Sequence, residues 1–293
     1  MPDELITVFR STRRRACEER LLVLTAVGIA GFLVRGVDEF VLQVPAPQAE
    51  EAARHLWQYE AENRTSRVAV PTSPRYPYAW VGCIVYSLVL LGVAYALSNA
   101  FVRLDAFELG ELDAAQVQAG QYWRAWTALT LHLDLAHLAA NLLAGLWFGY
   151  LAATQMGAGT AWLLIVTGAG FANLLEALIA PPEHRAVGAS TAVFTALGAM
   201  AAHSFRERLV LRQRWERRWG PLIAGVGLLG FTGSAGEDTD VTAHVAGFVV
   251  GAVLGALAAL PRSKALLERV PQWLAGALAL GSVLIAWCWA LRS

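Results

Sequence analysis

The sequence predicts an all-α polytopic membrane protein with a small cytosolic α+β module at its N-terminus. Three observations point there. The 293-residue chain is 56% hydrophobic and only 16% charged, with a mean hydropathy of +0.46, which is too apolar for an ordinary soluble domain. Apolar runs of about the 20 residues that cross a bilayer recur at 78–98, 135–153, 160–180, 190–205, 219–233, 241–260 and 271–290, the fifth being short and glycine-rich. The basic residues are unevenly placed. Ten arginines precede the first span, six crowd the loop from Arg206 to Arg218, and Arg262, Lys264 and Arg269 fill another, together 19 of 23. With these loops inside, the positive-inside rule sets the N-terminus in the cytoplasm and the C-terminus outside.

Taken in order, residues 1–65 form the module. Leu21 to Val34 is apolar for only fourteen residues before Arg35, Asp38 and Glu39, too short to span. Treating 21–44 as a membrane helix would also strand five arginines outside. A strand at Leu5–Phe9 fits instead, then a helix over 15–27 closed by Gly28 and a hairpin of Ile29–Val34 with Phe40–Val44 across 35–39. A second helix follows Pro47, with Ala49, Ala52, Ala53 and Leu56 on its buried face. Residues 66–77 contain Pro71, Pro74 and Pro77 and read as a linker. The module's partner is not legible.

The membrane core is expected over 78–260, with residues 261–293 adding a further C-terminal transmembrane helix. Between the first two spans, a loop from Asn99 to Asp134 ends in Tyr122-Trp123-Arg124-Ala125-Trp126. Trp123 and Arg124 read as an outer-interface pair, the ring half-buried and the guanidinium meeting phosphate or backbone carbonyls.

Three spans contain polar groups that a lipid-embedded helix avoids: His137 and Asn141 in the second, Ser190 in the fourth, His244 in the sixth. Such groups are functional candidates by default. All three spans run inward from the outer face, and each group lies near its helix start, within roughly 10 Å of that boundary at ~1.5 Å per residue. They can converge at one depth. His244, Gly247, Gly251 and Gly255 share one helix face, a small-residue groove that lets two helices approach backbone to backbone. The fourth span offers Gly188, Ala189, Ser190 and Gly198 to meet it.

An imidazole beside a hydroxyl is the minimum nucleophile and base of a serine hydrolase. His137 and Asn141, at i and i+4, project from one side of their helix and can donate to the oxyanion of a tetrahedral intermediate. Gly188, two residues before the serine, lets the backbone approach substrate. Taken singly, the serine reads as a helix cap, the histidine as a bond to a neighbouring helix and HxxxN as a structural pair. Their conjunction favours catalysis.

Over about residues 77–260, Trp123-Arg124, His137-xxx-Asn141, Gly188-Ala189-Ser190 and Ala243-His244-xx-Gly247-xxx-Gly251 resemble, in this order, the rhomboid intramembrane serine proteases. The resemblance implies a six-helix catalytic core with an added seventh helix, a Ser190–His244 dyad without a carboxylate, an oxyanion site at His137 and Asn141, and no cofactor. It also implies cleavage of transmembrane or juxtamembrane segments of other membrane proteins, after small residues. Members commonly have tyrosine four residues after the serine; this chain has Phe194, which keeps ring stacking on the imidazole but lacks the phenolic hydroxyl.

Two alternatives stay open: a rhomboid-like protein that binds membrane clients without cutting them, and a transporter. No metal is expected, since no histidine pair has HExxH spacing and no cysteine lies near. Nor is a nucleic-acid partner expected. The expected location is the bacterial inner (cell) membrane, the site opening to the non-cytoplasmic side. His132 and Asp134 are expected to order the outer loop, and Glu176 to act in helix packing or at the interface.

Overall fold

The computed structural model describes residues 4–36, 38–64, 76–98, 106–211, 215–232 and 240–293. Most of the expected linker, Arg103, Arg212, Arg214 and the acidic stretch from Glu237 to Thr239 lie outside them. The chain forms two compact units, Met1–Pro71 and Thr72–Ser293.

The first unit is the expected α+β module: β1 (Leu5–Ser11), α1 (Arg14–Ala26), β2 (Phe32–Arg35), β3 (Phe40–Pro45), a 3-10 turn and α2 (Ala49–Arg64). The sheet is antiparallel in the order β1-β3-β2. Alternation in β3 turns Leu42 and Val44 onto Leu24, Ile29, Ala52 and Leu56. Gly28, at φ 81°, ends α1 in the left-handed region and lets the Ile29 amide return to the Leu24 carbonyl at 2.9 Å. Arg20 is 8% exposed, which a cation tolerates only when paired: it bonds Glu60 at 2.9 Å and the Ala16 carbonyl, and lies 3.9 Å over the Phe9 ring. One expectation fails. Ala53 is exposed, because the buried stripe of α2 is the i, i+4 pair Ala52 and Leu56 and the next residue is turned about 100° away.

The second unit is a helical bundle. Its elements are α3 (Trp80–Ser98), α4 (Ala106–Gly110), β4 (Leu112–Asp113), α5 (Ala114–Gln118), α6 (Arg124–Thr127), a 3-10 turn at Ala128–Thr130, α7 (Leu135–Met156), α8 (Ala158–Ile179), β5 (Arg185–Ala186), α9 (Ser190–Val210), α10 (Trp215–Thr232), α11 (Val241–Ala258), α12 (Pro261–Leu267) and α13 (Gln272–Ala290). Among the described residues five helices, α3, α7, α8, α11 and α13, are long and apolar enough to cross a membrane. On α7, Leu143 and Trp147 are strongly exposed, as lipid-facing side chains are. The chain is an integral multi-pass membrane protein. The remaining two expected spans are helices of different character. Almost every residue of α9 from Thr191 to His203 is buried among other helices, so it need not be apolar to avoid lipid. Arg217, Arg218 and Pro221 in the first turns of α10 dilute that helix.

Helices α7, α9 and α11 run parallel. Gly188, just before α9, meets His137 at the start of α7, and Ser204 bonds Gln155 at 3.0 Å at their other ends. The α9–α11 seam has a fixed register: Gly247 lies against the Thr191 carbonyl, Gly251 against that of Thr195, Gly255 against that of Ala199, and Gly198 against that of Phe248. A methyl group at Gly247 would come within 2.6 Å of the facing oxygen, and the other three positions are tighter. The partner face therefore consists of Thr191, Thr195 and Ala199 with Gly198: of the expected Gly188, Ala189, Ser190 and Gly198, Gly198 takes part in this seam, while the other three lie at or before the start of α9.

Gly251→Ala is expected to destabilise the bundle by about 1–3 kcal/mol, the scale of overpacking. Gly281→Ala on α13, where added carbon meets nothing within 4 Å, is expected to be neutral. Unfolding in mixed micelles measures both, and equal effects would contradict the seam.

Candidate active site

Each polar residue singled out from the sequence has a structural reason for its place. Asp134 caps α7, its carboxylate accepting the His137 amide at 2.7 Å. Asp240 caps α11 by accepting the Ala243 amide at 3.0 Å, which sets His244 one turn inside that helix. Ser190 is the first residue of α9, and its backbone N–H has no acceptor among the described residues.

Gly188 has φ 128°, a conformation that side chains rarely adopt. Its amide donates to the Ala128 carbonyl at 3.0 Å. Cβ there would fall 2.7 Å from His137 Nε2 and 3.7 Å from Asn141 Nδ2, so both side chains abut this turn. Asn141 is 5% exposed; its Nδ2 donates to the His137 carbonyl at 3.0 Å, and its own carbonyl accepts the Tyr86 hydroxyl at 2.8 Å. The turn before the serine and the two donor residues of α7 thus form one cluster.

His244, 7% exposed, stacks on Phe194, with ring centroids 4.3 Å apart and planes tilted by 35°. Continuing the α9–α11 register back one turn from Gly247 and Thr191 sets His244 level with Gly188-Ala189-Ser190. The expected stacking on Phe194 is present, and Gly247 and Gly251 are the contacts that hold this level. An apolar cavity of about 430 Å³, lined by Val85, Trp162, Trp273 and Leu280 among others, reaches Ala189 and Ala192 on either side of Ser190.

Trp123 and Arg124 are more deeply buried than the half-buried ring expected, 7% and 6% exposed, and of the two partners expected for the guanidinium it meets backbone carbonyls. Arg124 donates to the carbonyls of Glu108 (2.8 Å) and Glu111 (3.0 Å) and to Gln121 (2.7 Å). A guanidinium that satisfies its donors with the loop's own carbonyls needs no phosphate. Trp123 donates to the Leu109 carbonyl at 3.4 Å and packs on Trp289 of α13 at 5.2 Å. The exposed aromatic residue here is Tyr122.

Sequence reasoning missed two supports. Tyr86 has no motif around it and reaches Asn141 from α3. His132 ties the outer loop directly to the turn before the serine, its Nε2 accepting the Ala189 amide at 3.4 Å and its ring lying edge-on to His137 at 5.1 Å. The expectation that His132 orders the outer loop did not extend to this contact with the turn before the serine.

These features define a multi-pass membrane protein whose helical bundle brings a serine and a histidine level at the start of two parallel helices. The Rhomboid domain profile matches residues 119–261, and the chain belongs to the rhomboid family. It is 30% identical over 229 residues to Rhomboid protease GluP of Bacillus subtilis (strain 168), covering 77% of this chain and 43% of that protein. It is also 30% identical over 184 residues to Rhomboid-like protease 3 of Toxoplasma gondii, covering 60% of this chain and 69% of that relative. RHOMBOID-like protein 7 of Arabidopsis thaliana is 27% identical over 165 residues, 55% of this chain and 49% of that protein. The chain spans less than half the length of the Bacillus relative. Family membership groups it with intramembrane proteases.

Burial, reinforced by the neighbouring His137 ring and partly offset by the Thr130 backbone, lowers the His132 imidazole from its ordinary 6.5 to about 4. A histidine whose folded value lies below its unfolded one stabilises the fold fully above about pH 6.5, and that contribution is lost as pH falls towards 4. The thermal midpoint is expected to drop across this window, and to drop less in His132→Gln, which cannot titrate. An equal drop in both proteins would rule out His132 as its source.

Proposed function

We propose that this protein is an intramembrane serine endopeptidase in which Ser190 is the nucleophile and His244 its general base. His244 takes the Ser190 proton as Oγ attacks the scissile carbonyl carbon, then returns it to the leaving amine. A water activated by the same imidazole hydrolyses the acyl-enzyme and frees Ser190. The tetrahedral oxyanion of each step lies beside the turn at Gly188, within reach of His137 and Asn141 and of the free Ser190 amide at the start of α9. Phe194 holds the imidazole plane while its charge changes.

What supports this reading above all is the α9–α11 seam, which makes the level of His244 relative to Ser190 a matter of backbone contact. The half-buried setting of Ser190 and His137 leaves room for an extended peptide and for water. Substrates are membrane proteins whose helix can open near the cut, after small residues. The site faces the non-cytoplasmic side of a bacterial inner membrane, with the N-terminal module in the cytoplasm beside a partner of its own. Neither a cofactor nor a metal takes part in this chemistry.

Purified protein incubated with a transmembrane model substrate and a fluorophosphonate probe tests the assignment. Ser190→Ala and His244→Ala are expected to lose cleavage, and Ser190→Ala to lose labelling as well. Labelling that persists in Ser190→Ala would overturn the nucleophile. Loss of an oxyanion donor in His137→Ala or Asn141→Ala is expected to lower kcat by on the order of 10²–10³. Gly188→Ala, which forces His137 aside, is expected to lower kcat with little change in helical content. Binding of substrate without any cleavage would favour a client-binding protein instead.

A further inference from the structure

We propose that Glu176, His184 and Asp240 bind a divalent transition-metal cation of the zinc class at the end of the bundle where α9 and α11 begin. The three side chains come from the last turn of α8, the loop that follows it and the residue capping α11. His184 Nε2 lies 3.2 Å from Asp240 Oδ2 and 3.7 Å from Glu176 Oε1. One donor atom from each residue lies within 4.8 Å of the others. A cation about 2.1 Å from each of three such donors would hold them roughly 3.0–3.6 Å apart.

The polar accounting at this place is incomplete without a ligand. The Glu176 side chain is 1% exposed, and neither of its oxygens accepts a hydrogen bond from a donor among the described residues, the neighbouring groups being the Asp240 carboxylate and the His184 imidazole. His184 Nε2 and Asp240 Oδ2 lie 3.2 Å apart with no hydrogen bond between them, an ion pair only when the imidazole is protonated. An uncompensated carboxylate at this depth is costly, and a dication between two carboxylates and an imidazole removes the cost.

The donors are held in place beforehand. Asp240 spends its other oxygen on the Ala243 amide, which aims Oδ2 at the cluster. The loop around His184 is fixed at both backbone groups, its amide bonding the Pro181 carbonyl and its carbonyl accepting the Ala114 amide, each at 3.0 Å. The His184 and Asp240 side chains are 23% and 22% exposed, which leaves a path for the ion and room for water to complete its coordination. Imidazole with two carboxylates suits Zn²⁺ or Mn²⁺ better than Ca²⁺ or Mg²⁺. The absence of HExxH spacing does not bear on this site, since its ligands come from three separate elements.

The bound ion would fasten the start of α11, four residues before His244, to the end of α8. Its test does not depend on proteolysis. The full chain, purified in detergent and stripped with a chelator, is titrated with Co²⁺. Stoichiometric binding with a visible ligand-field band is expected, displaced by Zn²⁺, and Zn²⁺ is expected to raise the thermal midpoint. Glu176→Gln and His184→Ala, each checked for native helical content and elution, should weaken binding at least about tenfold, the scale that even outer-shell losses reach. Asp240→Asn keeps the capping oxygen and serves where either variant misfolds. Absence of stoichiometric binding to the folded chain, or an affinity unchanged in the variants, overturns the site.

Discussion

The rest of the bundle depends on the close approach of α9 and α11. At four positions a glycine stands where any side chain would collide with the facing backbone, so the two helices have a single permitted register. Dispersion between packed backbones is what membrane helices can gain in a solvent as apolar as their own side chains. Because Ser190 begins one helix and His244 lies one turn into the other, a packing constraint becomes a chemical one. Slippage by a single turn would move the imidazole about 5 Å and take it off the Phe194 ring.

How much of this was legible in the sequence differs from element to element. The period of His244, Gly247, Gly251 and Gly255 announced a groove, because glycine spacing on a helix is local information. The surface filling that groove was less legible: a facing carbonyl looks the same under Thr191, Thr195 or Ala199. Hydropathy located all seven long helices of the bundle, but it did not show that α9 has protein on nearly every side, which relaxes the demand for apolar residues. For Trp123 and Arg124 the sequence left two partners open, because an arginine beside aromatic rings satisfies itself equally well with phosphates or carbonyls. The carbonyls of Glu108 and Glu111 lie in another stretch of loop, and only folding brings them close. Tyr86 and the grouping of Glu176 with His184 and Asp240 depend on contacts across distant segments and leave no local trace, while His132 was expected to order the outer loop and only its reach to the Ala189 amide required the fold.

The polar groups of the bundle divide by their manner of satisfaction. Thr127, Thr195 and Arg124 end on backbone carbonyls and stiffen the elements around them. Asp134 and Asp240 close the starts of α7 and α11 and so determine which residue stands first on the helix. Ser190, His137 and His244 take their positions from these elements, Ser190 from the start of α9, His137 from the capped start of α7 and His244 from the Phe194 ring. Side chains held by rigid surroundings are what preorganised catalysis requires.

The tie between α13 and the outer loop bears on biosynthesis. Trp287 donates to Thr130 at 3.1 Å and presses on Gly110, while Trp289 packs on Trp123. These partners all precede α7, so they leave the ribosome well before the helix that completes their packing. The loop that ends at His132, and through it the turn at Gly188, gains its full set of contacts only after α13 has been inserted. A nascent chain lacking that helix has its serine and histidine in the membrane under an unfinished roof, so the order of synthesis delays the finished site until the bundle itself is complete.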